Sequence, residues 1–389
     1  MPHTPAIGER LREIRKRRGL TQRALADASG VSLSLIRKLE QGEVPDTRME
    51  TARRLAVALR VPTTHLAARD DTDTPTTAEP WRPLQRAIEE PPRTPEHELD
   101  IDAINALLAD DIRAAYFDRR LVDLSTLLAP ILRDADALGD DPEARGMRAH
   151  LLQIAGSTLT QARQFTAAET ALRRALDDAP DRLRAASIIT TWSWLLVRQG
   201  RLDESRELAT RWADDVEPRL SRATPEDLAA WGWLLLQASA AALRDNRTGE
   251  AEDMMRLARA AAVRTGRELP EGDMRLASWG PVTVAYKSAE RDIIMDRPDK
   301  VLEVAERLER TVSDGGTEHH RHRLDVAKAH TMKRDYGRAV EVLERVHSEA
   351  PEWLSQQRYA QDIMGEVVGH RRTLTPQMRA LADAVGVPM

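Results

Sequence analysis

Apolar positions recur every three to four residues along nearly the whole chain, and alternating β-branched runs are almost missing. Ala, Leu, Arg and Glu dominate these stretches, so the pattern predicts helices throughout and an all-α fold. Residues 7–67 divide into five short helices: about 7–18, one from Thr21 to just before Gly30, about 32–41, about 47–59, and one near 63–67. Thr21 and Ser32 stand where an N-cap hydroxyl belongs, and Gly19, Gly30 and Gly42 stand where a helix ends. Leu11, Ile14, Leu20, Leu25, Ala26, Val31, Ile36, Leu39, Leu55 and Leu59 make one small core at helical spacing. Residues 68–98 hold six Pro among Thr and acidic residues and read as a linker, with Trp81 as a pin to one domain. Helical patterns resume at Leu99 and run to the end, so the expected domains are 1–67, 68–98 and 99–389.

The third segment repeats itself. Around Ala168, Gly156 lies twelve residues before, Phe165 three before, Leu172 four after, Ala175 seven after and Pro180 twelve after. Around Ala339 the same offsets hold Ala327, Tyr336, Leu343, Val346 and Pro351. Related sets centre on Ser205, Ala251 and Val301, and a fainter one on Leu124. Small residues at mid-helix let two backbones approach, and a large apolar residue one turn later fills the groove between them. This resembles the tetratricopeptide repeat over residues 99–351. The resemblance implies a curled stack of helical hairpins, an α-solenoid, with the first helix of each hairpin on the concave side. The last 39 residues read as two further helices that either cap the stack or form a dimer contact.

Charge divides the chain. Residues 1–70 carry 14 Lys and Arg against 8 Asp and Glu, whereas the full chain is at −5. A basic head on an acidic body suggests a polyanionic partner for the head alone. In that head a helix, a turn at Gly30 and a second amphipathic helix form a helix-turn-helix. The run LTQ…LA…GVS…I…LE.G resembles the lambda-repressor-like, XRE-type DNA-binding domain. That resemblance implies double-stranded operator DNA as partner and a third helix entering the major groove. Ser32, Leu33, Ser34 and Lys38 match the positions facing base edges, and Arg37 lies beside them. Gln22 matches a position that binds the DNA backbone, and Arg23, Arg12 and Lys16 are expected phosphate contacts. Leu33 and Ser34 depart from the amides of phage repressors, so base preference does not transfer. Arg15 and Glu40 match a buried ion pair that orients the third helix.

Helical spacing on the first helices selects an inward stripe. It includes Gln153 and Ser157, Trp194 and Arg198, Trp233 and Arg244, Tyr286 and Glu290, and Arg321 with Leu324 and Lys328. These eight residues up to Glu290 are the expected effector site, with Arg198 and Arg244 placed for an anionic group. Trp192 and Trp231, two residues before Trp194 and Trp233, face the other way and are expected to pack. An XRE head on a tetratricopeptide body is similar to the RRNPP-type regulators of quorum sensing. The resemblance implies a cytoplasmic homodimer that binds a promoter and senses a short peptide. Those receptors often clamp the peptide backbone with Asn, whereas this chain has Asn105 and Asn246 alone, both outside the inward stripe. A small organic effector is therefore the other candidate ligand. Arg outnumbers Lys 52 to 6, a bias similar to that of high-GC actinobacterial chains.

Other chemistry is weighed and set aside. The chain has no Cys, which excludes disulfides and thiol catalysis. Walker, GxGxxG and HExxH motifs do not occur, and no run is long enough to span a bilayer, so neither an enzyme, a cofactor nor a membrane partner is expected. His319, His320 and His322 lie among Arg residues that disfavour a metal. The alternative to a ligand-gated regulator is a DNA-tethered adaptor whose body binds another protein.

Overall fold

The structure is a computed structural model that describes residues 7–66, 79–90, 101–118, 120–272, 276–309, 316–371 and 373–387. Its architecture is all-α, and the one β-type contact among the described residues is an isolated bridge between Leu269 and Trp279.

Four helices build the head: α1 (Ile7–Arg17), α2 (Gln22–Ser29), α3 (Leu33–Glu40) and α4 (Met49–Leu59). Thr21 accepts the Ala24 amide at 3.0 Å and Ser32 accepts the Leu35 amide at 3.3 Å, so each hydroxyl satisfies a helix start that has no internal partner. Gly30 ends α2 at φ 66°, a conformation that costs a side-chain-bearing residue more than glycine. Leu11, Leu25, Ile36, Leu39, Leu55 and Leu59 fill the core. The expected fifth helix is a single 3₁₀ turn, Thr63–His65, preceded by Pro62.

Arg15 fixes α1 against α3 through Glu40. Its Nε donates to Oε1 at 2.6 Å, its Nη2 to Oε2 at 2.7 Å, and its Nη1 to the Leu20 carbonyl at 2.8 Å. Gln22 donates to the same carboxylate at 2.8 Å. The two ionised side chains are 10% and 3% exposed. Burial alone would raise Glu40, but the hydrogen bonds from Arg15 and Gln22 outweigh it and hold the carboxyl below its ordinary range.

The body opens with α5 (Arg82–Glu89), inside the stretch expected to be linker. Pro83 occupies its first turn, where no backbone donor is needed, so the prolines do not forbid helix there. Trp81, Leu84, Ala87 and Ile88 are buried in the body core, and Arg174 donates to the Ile88 carbonyl at 2.8 Å. The linker reading of residues 68–98 is thus corrected for 79–90; the other residues of that span lie outside those described. Next come α6 (Ile101–Leu107), a π-helical turn at Leu108–Ile112, α7 (Arg113–Phe117) and α8 (Leu121–Ala137).

Five helical hairpins follow: α9 (Pro142–Gln161) with α10 (Phe165–Asp177), α11 (Arg182–Arg198) with α12 (Leu202–Asp215), α13 (Pro225–Arg244) with α14 (Thr248–Thr265), α15 (Pro281–Ile294) with α16 (Pro298–Glu309), and α17 (Thr317–Met332) with α18 (Tyr336–Glu349). The twelve-residue offset marks where the two helices of a hairpin touch. Ser205 donates to the Ser193 carbonyl and Ser239 to the Ala251 carbonyl, both at 2.8 Å. A Cβ on Gly156 would lie 2.6 Å from Leu172, the residue that fills that groove. Close approach here is a requirement of the hairpin, and larger residues would separate its helices.

Three helices complete the chain: α19 (Pro351–Ser355), α20 (Arg358–His370) and α21 (Pro376–Ala384). They bury Trp353, Ile363, Met364, Val367 and Leu381 against the last hairpin. α19 also reaches the first one and α8 before it. Trp353 donates to Gln161 Oε1 at 2.9 Å and Glu352 accepts the Val122 amide at 2.6 Å. The stack therefore curls until its end meets its beginning.

Two substitutions test these contacts. A Cβ on Gly232 would stand 1.8 Å from the Trp279 ring, so Gly232→Ala forces the buried indole to move. It should cost about 1–3 kcal/mol, read from the denaturant midpoint, with a changed Trp emission. Glu40→Gln should cost about 3–5 kcal/mol of head stability, because Arg15 stays buried without its counter-charge. The folded pKa of Glu40 lies below its unfolded value, so this stabilisation is present above the unfolded value and is lost as pH falls through the folded one. Acid titration of wild type and Glu40→Gln should therefore converge at low pH.

Candidate functional site

Two surfaces concentrate chemistry, one on the head and one inside the curl of the body. On the head, α3 presents Ser34, Arg37 and Lys38 to solvent, with Ser32 exposed at its start and Leu33 half-buried. Arg12, Lys16 and Arg23 are exposed on the neighbouring helices. Cationic and hydroxyl side chains are thus exposed together on α1, α2 and α3. Gln22 is different. It is half-buried, and its side-chain amide donates to Glu40, which helps to hold the ion pair behind α3. The motif position alone could not show that commitment, since the carboxylate lies 18 residues away.

The polar contacts between head and body, among the described residues, come from residues 48–64. Thr63 donates to the Arg244 carbonyl at 2.7 Å, and the Thr64 amide and hydroxyl both donate to Asp245 at 2.9 Å. Asn246 donates to the Val61 carbonyl at 3.3 Å, and Arg48 pairs with Asp362 at 3.0 Å. Residues 244–246 end α13, so the head sits on the C-terminal tip of a helix whose inner face lines the body cavity. The α3 face points elsewhere and stays exposed.

The body cavity has two lobes. The larger, about 430 Å³, lies beside the head and is walled by Met49, Glu50, Arg53 and Arg54 of α4 together with α11, α13, α15, α17 and α20. The smaller, about 110 Å³, lies towards α9 and holds Gln153, Ser157, Ser187 and Thr190. Trp194, Trp233, Gln237, Lys287 and Arg321 border both lobes. The helical walls of the body come from the first helices of the five hairpins, as expected of a hairpin stack, with α20 and Tyr116 of α7 added.

Of the eight effector residues expected from the sequence, the cavity brings together Gln153, Ser157, Trp194, Arg198, Trp233, Arg244 and Glu290. Tyr286 is a correction. It stacks on His322 at 4.7 Å and bonds to His319 at 2.9 Å, away from both lobes. Residue 286 sits one residue before Lys287 on α15, and Lys287 is the one that faces in. Gln237 and Asp325 also line the cavity and were missed, although Gln237 lies one turn after Trp233 and Asp325 one residue after Leu324. Tyr359 and the α4 residues were missed because no repeat pattern extends to the helices that carry them. Trp231 packs in the core and Trp192 between two core clusters, as their spacing requires.

Charge inside the cavity is mostly matched. Arg244 pairs with Glu290 at 2.5 Å, and Lys287 lies 3.3 Å from Glu290 and 2.6 Å from Glu318. Burial opposes ionisation of Glu290, but Lys287 and Arg244 outweigh it and hold the carboxyl well below its usual range. Burial, with Glu290 nearby, pushes Asp325 well up. Lys328 pairs with Glu366 at 2.8 Å. Trp233 is pinned by its indole N–H to the Ser278 carbonyl at 3.0 Å. The expected pairing of Arg198 with Arg244 around an anion is therefore revised: Arg244 already has its carboxylate.

Comparison with known proteins adds to this. A family model described as a helix-turn-helix domain matches residues 6–68. Over 62 residues the chain is 41% identical to the uncharacterized HTH-type transcriptional regulator RghRB of Bacillus subtilis (strain 168), covering 16% of this chain and 45% of that protein. The chain thus spans less than half the length of that relative. Among solved structures, PlcR of Bacillus thuringiensis in complex with the peptide PapR7 and DNA aligns at 16% identity and a TM-score of 0.35, covering 79% of this chain and 99% of that one. Apo ComR of S. thermophilus aligns at 14% identity and a TM-score of 0.26, covering 94% and 99%. The match over residues 6–68 spans the capped helices and the Gly30 turn described above, so this segment is similar to a helix-turn-helix domain.

Proposed function

We propose that this chain is a sequence-specific DNA-binding regulator of transcription whose helical-repeat body takes a small effector in its concave cavity and relays that event to the head. The observation that carries the reading is the shared wall. Four α4 residues of the head and five helices of the body enclose one lobe, so an occupant of that lobe touches both. Arg244 doubles the connection, because its side chain lines the lobe while its carbonyl holds Thr63 of the head.

On this reading α3 lies in the major groove, with Ser34 and Lys38 at base edges and Arg23 and Arg37 on phosphate or base. One such head covers a small stretch of DNA, so two copies bind a pseudo-palindrome with half-sites about 10 bp or a multiple apart. The occupant changes how α4 seats on the body and hence where two heads stand relative to half-sites of fixed spacing. It acts only through a difference in affinity between the two seatings.

Two measurements test this. Ser34→Ala and Lys38→Ala should each weaken operator binding by about 1–3 kcal/mol while binding to random DNA changes less. Equal losses on both DNAs in a titration would place the base contacts elsewhere. Thr63→Val/Thr64→Ala removes the hydroxyl contacts to Arg244 and Asp245 without touching α3. Effector added to this variant should no longer shift operator affinity, whereas effector-free binding to DNA should persist.

A further inference from the structure

Two arginines of the cavity stand out from the charge matching around them. Arg198, at the end of α11, makes no ion pair or hydrogen bond through its guanidinium among the described residues, and that group lies 5.7 Å from the Trp194 ring centroid. The guanidinium of Arg321, from α17, lies 4.7 Å from the same centroid. Its nearest carboxylate oxygen, on Glu318, is 3.8 Å away, and its Nε is buried without a partner. Arg244, Lys287 and Lys328 on the same wall each have an acid within 3.3 Å. Burial, with Arg321 among the cations around it, holds Arg198 below the ordinary arginine range. Two like charges thus flank one indole, with only the loose contact from Arg321 to Glu318 at 3.8 Å to offset them, and an incoming anion would relieve their repulsion.

A second orphan lies in the smaller lobe. Gln153 is 1% exposed, and its Nε2 donates to Ser187 at 2.9 Å and to Thr191 at 3.2 Å. Its Oε1 is buried and accepts from nothing. The amide is held by two hydroxyls with its acceptor unused, in a wall that Trp194 shares. Thr191 and Arg198 are seven residues apart on α11, about 10 Å along the helix axis. Between these ends lie the indoles of Trp194 and Trp233, both bordering both lobes.

We propose that this cavity binds a flat organic monoanion about 10 Å long: its carboxylate meets Arg198 and Arg321, its apolar body lies along Trp194 and Trp233, and a hydrogen-bond donor at its far end meets Gln153 Oε1. The inference rests on the cavity being the effector site and adds the chemical class of the occupant. Glu290 and Glu318, on the same wall, favour a single negative charge over a phosphate dianion. The volume suits a molecule of a few rings.

Calorimetry on the full chain with three probes tests it: 2-naphthoate, its neutral amide, and 6-hydroxy-2-naphthoate, which adds a donor opposite the acid. The acid should bind about tenfold or more tightly than the amide, and the hydroxy acid more tightly again. Arg198→Gln and Arg321→Gln should each abolish the preference for acid over amide, and Gln153→Leu should abolish the gain from the hydroxyl. Ligand-free Arg198→Gln should melt at the same temperature as wild type or higher, since it removes a repelled charge. A lower melting temperature would make Arg198 structural and overturn the assignment. So would equal binding of acid and amide, an acid preference that survives Arg198→Gln, or no binding by any probe. The broader reading has its own readout. A neutral compound or a peptide that shifts operator affinity through this cavity would leave the sensor standing and remove the anion subsite. Probe binding with no effect of any occupant on DNA would do the reverse.

Discussion

The body depends on how closely two helices can approach within each hairpin. At the crossing points stand Gly156 and Ala168, Ser193 and Ser205, Ser239 and Ala251, Ala289 and Val301, Ala327 and Ala339, all buried. Side chains this small let the backbones come near enough for serine hydroxyls to reach across to carbonyls. Once each hairpin is closed on its outer side, the first helix has one face left, and that face looks into the curl. The cavity is thus a by-product of packing elsewhere. The polar and charged residues on it are tolerated because they meet each other, as Lys287, Glu290 and Arg244 do.

Much of this was legible in the sequence because it is local. Capping hydroxyls act within three residues, and hairpin contacts fall at one fixed offset. A stripe at helical spacing identified most of the cavity wall from α9, α11, α13 and α17. What was not legible depends on partners far along the chain. Glu290 claims Arg244 from 46 residues away, and Gln22 is taken by Glu40. Tyr286 and Lys287 differ by one position, and the stripe on the short α15 did not decide which turns inward. Pro-rich composition marked 79–90 as linker, although Leu84, Ala87 and Ile88 carry an apolar face at helical spacing. No pattern in α4 announced that it seats on the body, because Thr63 and Thr64 are ordinary turn residues until Arg244 and Asp245 are placed opposite them.

The head illustrates a division of labour between faces. α1 and α2 lock α3 from behind through Arg15, Gln22 and Glu40, so its outward residues need no support from one another. The opposite flank, α4 and the turn after it, meets the body through hydroxyls, amides and one exposed ion pair. Contacts of that kind are each worth about 1 kcal/mol, weak enough to be exchanged.

The bond between Trp353 and Gln161 has a consequence for how the molecule comes apart. In an open helical array each hairpin answers to its neighbours alone, so the ends fray first and unfolding proceeds stepwise. Here α19, which follows the last hairpin, is tied to α9 across 192 residues by a fully buried indole. Neither the first nor the last hairpin is free to fray, and loss of any one hairpin opens the whole arc. The body should therefore melt as one cooperative unit, closer to a globular domain than to a chain of repeats.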